Sequence, residues 1–309
     1  MSTPRGLKTT LSGWARLLRV PNLFTVPGDV MVGLFLATGG RPEWHVAGGA
    51  LAVVFIYIGG LFLNDFFDRV EDARERPDRP IPSGAVDPKA VFVAGVAMFA
   101  VGVGIAAAVL GGPIVPAVAV GVAFAAFLYN AVFKKIRILG PLVMGSCRAG
   151  SVVLGAAFVG GISETPVLIA VGVTWLYTAA ITGLAANETD ETGEQKLGID
   201  GLIPAAVLAA GGVLMCVSVR PVFPSAILAI GALVIGAGEA AWVGWRMMRR
   251  GRVTPPSIGT LVRVMLSAQA AWCIWRVPGQ AFSLAVQLFI LFALLRLLAG
   301  LSARRFYGS

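Results

Sequence analysis

From Ala47 to Asp72 the chain reads A-G-G-A-L-A-V-V-F-I-Y-I-G-G-L-F-L-N-D-F-F-D-R-V-E-D, an apolar run that ends abruptly in carboxylates. A bilayer core about 30 Å thick needs roughly 20 apolar residues per helix, and positions 47–66 supply them. No water reaches the backbone at that depth, so the run must be helical. Comparable runs lie at about 22–38, 90–110, 113–131, 140–160, 166–186, 202–219, 223–245, 258–275 and 281–300. The segment at 258–275 departs most from the pattern, because it contains Arg263 and Gln269.

With 57% hydrophobic residues and only 13% charged, the 309-residue chain is too apolar to hide its side chains in one soluble core. The expected fold is an all-α membrane bundle of nine to ten transmembrane helices, forming a single domain over 1–309. The 39 glycines fall largely inside the apolar runs, where small residues let helices approach closely. A net charge of +9 would suggest nucleic acid as the partner of a soluble protein; here it fits the basic loops of a multi-pass membrane protein instead.

Placing the loops on alternate sides segregates the basic residues. One side receives Arg5, Lys8, Arg16 and Arg19, then Arg69 to Lys89, then Lys134, Lys135, Arg137 and Lys196, and finally Arg246 to Arg252, Arg304 and Arg305. The other receives Arg41, Arg220 and Arg276, while Arg148, Arg263 and Arg296 fall within segments. Both termini and the acidic loops are therefore expected on the cytoplasmic face of the cell membrane. Met1 to Arg19 is basic and polar, with no apolar run of a cleavable signal. Cys147, Cys216 and Cys273 lack metal-type spacing and read as packing residues. The single histidine, His45, lies beside Trp44 and reads as interfacial.

The apolar run opens into N-D-F-F-D-R-V-E-D, residues 64–72, followed by P-D-R-P-I-P-S-G, residues 77–84. On a continuing helix Asn64, Asp68 and Asp72 turn by only about 40° per step, so they share a face. Hard oxygen ligands of this kind suit magnesium, which is commonly held through one or two carboxylates and completed by substrate phosphates. Pro77 and Pro80 break the helix and can turn Arg76 and Arg79 back toward a diphosphate. A second cluster, N-E-T-D-E-T-G-E-Q-K-L-G from Asn187 to Gly198, places Asn187, Asp190 and Glu194 at i, i+3 and i+7, again on one face. A metal-bridged diphosphate between the two clusters would be neutralised and primed to leave. From residue chemistry alone, each cluster also suits a solvated juxtamembrane face.

Taken together, Asn64 to Gly84 resembles the first signature of the UbiA superfamily of intramembrane prenyltransferases, N-D-x-x-D-x-x-x-D followed by R-P-x-x-S-G. The spacing from Asn64 to Arg79 is similar to the branch of chlorophyll synthases and geranylgeranylglyceryl-phosphate prenyltransferases, and Leu139 to Gly155 resembles a bacterial UbiA-like subgroup. The second cluster carries Asn187 and Glu194 where the family usually has aspartate, while Asp190, Gly193 and Gly198 match. The family fold has nine helices, so a tenth segment is a further departure. The resemblance implies a Mg2+-dependent enzyme using Asp68, Asp72 and Asp190 catalytically, with Asn64, Asn187 and Glu194 completing the metal ligands. It also implies substrate contacts from Arg19 and Asn22 in R-V-P-N, from Arg79, and from Tyr129 and Lys134. For Arg19 the residue-level alternative is snorkelling to the interface, and for Lys134 the ordinary positive-inside bias.

Arg148 stands apart, about 12 Å along its helix. An arginine at that depth faces a polar cavity or an acid, so it is expected to line the reaction chamber. The implied partners are an isoprenyl diphosphate, a lipophilic or aromatic acceptor and membrane lipid, with no nucleic acid. Phe66, Phe67 and Phe133 are expected to shield an allylic cation. Two other readings compete: an ion-coupled secondary transporter, and a non-catalytic isoprenoid-binding relative. Transporter ions usually bind near the bilayer midplane, whereas these acids cluster at helix ends.

Overall fold

A computed structural model describes residues 7–109, 112–186 and 198–307. Its helices are α1 (Leu7–Leu17), α2 (Val20–Leu23), α3 (Val26–Ala37), α4 (His45–Glu75), α5 (Pro88–Ala108), α6 (Ile114–Ala131), α7 (Leu139–Ala157), α8 (Thr165–Ala186), α9 (Ile203–Ser218), α10 (Ser225–Arg250), α11 (Pro255–Trp275) and α12 (Phe282–Tyr307). Among the described residues 10 spans are long and apolar enough to cross a bilayer, α2 and α3 together forming the first. All ten apolar segments read from the sequence are helical, and the count resolves to ten.

Helix boundaries follow local chemistry. Asp87 accepts a hydrogen bond from the Ala90 amide at 2.9 Å and Pro88 occupies the first turn, which starts α5. Gly251, at φ 62°, closes α10 in the left-handed conformation that a side chain resists. The 31 residues of α4 extend about 46 Å, well beyond a hydrocarbon core. Its last turns therefore leave the bilayer carrying the acidic motif.

The helices are graded by burial. The spans formed by α2–α3 and by α11 are 67% buried, whereas the spans of α5 and α12 are 22% buried and present residues such as Val93 and Leu297 outward. Such an apolar exterior is matched to lipid. The polar residues of α11 follow from this placement, for Gln269 is only 4% exposed and faces neighbouring helices. The N-terminal stretch, read as merely basic and polar, contains α1, whose Leu17 is buried and whose Trp14 meets Phe62 edge-on at 5.4 Å. Its apolar positions were too few for a membrane run yet sufficient for one packed face.

α3 and α7 cross in direct backbone contact. A Cβ on Gly33 would lie 1.9 Å from the Val152 carbonyl oxygen, and one on Gly155 would lie 2.1 Å from that of Val30. Only glycine permits that approach, which brings Arg148 of α7 against the start of α3. Gly155→Val should therefore force the two backbones apart at a cost of roughly 1–3 kcal/mol. Thermal unfolding in detergent is expected to show a clearly lowered midpoint, whereas Gly172→Ala, where a Cβ meets nothing within 4 Å, should leave it unchanged.

Candidate active site

A cavity of about 310 Å³ lies between α2, α3, α4, α6, α7, α8 and α11. Arg19, Asn22, Asn64, Tyr129 and Arg148, all singled out from the sequence, line it. At its mouth, the emerging end of α4 is held by basic residues from three other segments. Arg19 Nη2 lies 2.7 Å from Asp65 Oδ1, and Arg79 Nη1 lies 2.8 Å from Asp72 Oδ2 and 3.5 Å from Asp65 Oδ1. Lys134, from the short turn after α6, pairs with Asp68.

Two of these cations, Arg19 and Arg79, are placed by their backbone. Arg19 is the only non-glycine with positive φ among the described residues, at φ 43° and ψ 52°, directly before the first turn of α2. That conformation is uncommon for a side-chain-bearing residue and tends to persist where surrounding contacts enforce it. Here the pair with Asp65 is such a contact. The turn after α4 is fastened by amide bonds from Arg79 to the Arg76 carbonyl and from Ser83 to the Arg79 carbonyl. Ile81 and Val86 anchor it in the apolar cluster that includes Leu17. The proline-rich turn thus aims Arg79 back at α4, whereas Arg76 is exposed.

Farther out, Lys135 and Glu71 pair at 2.8 Å on an exposed surface. The Glu71 carboxylate holds the Lys135 ammonium above the usual lysine range. Lys134 and Lys135 therefore differ: one faces the chamber mouth, the other solvent.

Deeper in the cavity, Arg148 is 8% exposed, and its Nε lies 2.8 Å from Asp29 Oδ2. Its Nη2 donates to the Thr25 carbonyl at 2.9 Å. Gln269 donates to the same carbonyl at 2.8 Å and to Asp29 Oδ1 at 2.6 Å. This network ties α3, α7 and α11 together and keeps a charged arginine at the chamber floor. On the wall, Asn130 Oδ1 and Thr178 Oγ1 are buried and meet no hydrogen-bond partner among the described residues. Buried polar atoms normally find partners, so these two can receive polar groups of a substrate or water.

Several expectations need revision. Phe66 packs against Phe67 and Phe92 with Arg69 over its ring, and none of Phe66, Phe67 and Phe133 lines the chamber. Steps of 100° per residue turn Phe66 and Phe67 away from the face of Asn64 and Asp68. The aromatic lining is Tyr57 and Tyr129 instead. Cys147, read as a packing residue, also lines the cavity. The sequence reading gave no separate role to Asp65, Asp29, Gln269, Asn130 or Thr178; acidic and amide residues inside apolar runs were the available signal. Asn187, Asp190 and Glu194 lie outside the described residues.

The profile of the UbiA prenyltransferase family matches residues 29–276. A digeranylgeranylglyceryl phosphate synthase of Natronomonas pharaonis is 34% identical over 48% of this chain and 53% of its own length. The aligned part thus spans about half of that relative. Its counterpart in Haloquadratum walsbyi is 28% identical over 68% of this chain and 75% of its own. A UbiA homologue from Aeropyrum pernix superposes with a TM-score of 0.62 at 21% identity, covering 81% of this chain and 96% of its own. One from Archaeoglobus fulgidus, bound to GPP and Mg2+, superposes at 0.55 with 15% identity, over 86% and 99% of the two chains.

The two kinds of ion pair should separate in stability measurements. Arg148→Met leaves Asp29 buried without its cation and should cost roughly 3–5 kcal/mol. Glu71→Gln, at the exposed pair, should cost less than about 1 kcal/mol. Thermal unfolding of the two variants in the same detergent checks the contrast.

Proposed function

Because the chain belongs to the UbiA prenyltransferase family, we propose that it transfers an isoprenyl group from an allylic diphosphate to a lipophilic acceptor within the membrane, 1–309 acting as one catalytic domain. The observation that carries this reading is the convergence of Arg19, Asn22 and Asn64 on an apolar chamber, next to an α4 end whose Asp65 and Asp68 are paired with Arg19 and Lys134. The basic loop distribution supports a cytoplasmic position for that mouth and for both termini.

The donor set suits magnesium. Its candidates are oxygen donors only, and the pairing of Lys134 with Asp68 marks that carboxylate as a cation-binding group. Among the described residues no cluster of three His, Cys, Asp or Glu side chains is suited to hold a metal by itself. A magnesium ion held by few protein ligands and completed by phosphate oxygens needs no such cluster. Asn64, Asp68 and Asp72 are assigned to the ion, with Asn187, Asp190 and Glu194 as the second group of donors. When bound, magnesium would neutralise the diphosphate and improve it as a leaving group.

The remaining work falls to the chain. Arg19, Asn22, Arg79 and Lys134 are assigned to diphosphate oxygens. The allylic C–O bond breaks with its electron pair leaving on the diphosphate. Tyr57 and Tyr129, the aromatic residues lining the chamber, are assigned to stabilising the cation, and the surrounding helices to keeping water out. The acceptor oxygen then forms the new C–O bond, and its proton passes to the diphosphate. The names of the relatives support a hydroxyl acceptor on a glyceryl phosphate over an aromatic ring. Arg148 at the chamber floor is assigned to substrate positioning.

Transfer is best followed with labelled geranylgeranyl diphosphate, magnesium and a panel of acceptors. Asp68→Ala should reduce product and diphosphate release together by at least about 10²-fold, the scale of losing one electrostatic stabiliser of a transition state. Full turnover in that variant would reject the assigned site, and donor binding without turnover in the unaltered protein would favour a non-catalytic isoprenoid binder.

A further inference from the structure

The last span, α12, lies beyond the residues that the family profile covers. It packs on α11, α2 and α10, and it carries Arg296 inward among apolar residues. Arg296 pairs with Glu239 of α10 and donates to Ser267 of α11. An arginine inside a span is kept where it faces a cavity or an acid, and this one does both. Between α12, α2 and the first turns of α11 lies a groove of about 1180 Å³, much larger than the chamber.

Its chemistry is two-sided. Arg19, Arg263 and Arg296 line it, and among the described residues its lining includes no carboxylate, Asp65 and Glu239, the acids paired with Arg19 and Arg296, lying outside it. Arg263 donates to the Thr260 hydroxyl at 2.9 Å, so that residue's hydroxyl also lies at the groove. Toward lipid the wall is apolar, formed by side chains such as Leu297 and Leu301. Arginines above an apolar wall suit an amphiphile with an anionic head. The groove also meets the reaction chamber, because Arg19, Asn22, Ile258 and Val262 line both.

Resting on the prenyl-transfer reading, we propose that this groove binds the acceptor: a lipid with a phosphate head, the phosphate on Arg263 and Arg296 and the tails along α12. The donor diphosphate is assigned to the opposite side of Arg19, at the end of α4. The two substrates would then approach each other across α2, with Arg19 between their charges. The tenth span thus becomes a wall of the acceptor site.

The probe is dioleoyl phosphatidic acid, titrated against the full chain in detergent by native mass spectrometry, with dioleoylglycerol and glycerol 3-phosphate as the uncharged and soluble arms. Phosphatidic acid is expected to bind saturably, at least tenfold more weakly to Arg263→Gln, with most of the loss restored in Arg263→Lys. Neither of the other two compounds should compete. In the transfer assay it should inhibit without raising the KM for geranylgeranyl diphosphate. Equal binding by Arg263→Gln, equal competition by dioleoylglycerol, or equal competition by glycerol 3-phosphate would each overturn the proposal, as would competition with the donor. Should Arg263→Gln fail to fold, Leu297→Trp narrows the groove from α12 and must weaken phosphatidic acid binding. Binding of geranylgeranyl diphosphate with magnesium, measured on the same samples, judges the donor site separately. Its failure in the unaltered protein would sink the prenyl-transfer reading without touching the lipid measurement.

Discussion

A carboxylate at the edge of an apolar bundle is costly to desolvate unless cations meet it, and the end of α4 is organised around that constraint. Asp65, Asp68 and Asp72 are answered by Arg19, Lys134 and Arg79, which arrive from the α1–α2 junction, the turn after α6 and the proline-rich turn after α4. Desolvated charges of this kind are costly alone and tolerated in pairs. The pairing has a chemical corollary. On the proposed reading, the cations gathered at the chamber mouth would meet a diphosphate and the carboxylates behind them a metal.

The interior repeats the principle at greater depth. Arg148 and Asp29 pair with each other, the Thr25 carbonyl accepts from the arginine, and Gln269 donates to the carboxylate. Because these groups belong to α3, α7 and α11, the network also fixes the relative placement of the most buried helices. The glycine crossing of α3 and α7 makes the short Arg148 contacts possible. Polar chemistry and small-residue packing are thus two parts of one arrangement.

Much of this was legible from the residues. The spans could be read because a bilayer demands long apolar runs, and Arg148 could be placed because an intramembrane arginine needs a cavity or an acid. Counting in fours along the acidic motif singles out Asn64, Asp68 and Asp72 but passes over Asp65, whose partner Arg19 lies 46 residues earlier in the chain. Asp29 and Gln269 were visible as polar residues in apolar runs, yet their partnership spans 240 residues and is created only by packing. Phe66 and Phe67 misled for a related reason. Nearness in sequence to a carboxylate says nothing about which helix face an aromatic ring takes. The α12 groove joins Arg19 to Arg296 and lies outside any local motif.

The central claim is that the α4 end and the diphosphate hold a divalent ion jointly. Manganese, which shares magnesium's preference for octahedral oxygen coordination, can report on it by electron paramagnetic resonance in the presence of an unreactive geranylgeranyl thiodiphosphate. We expect saturable manganese binding that needs the thiodiphosphate and is lost in Asp68→Asn. Binding that ignores the analogue, or survives unchanged in that variant, would contradict it.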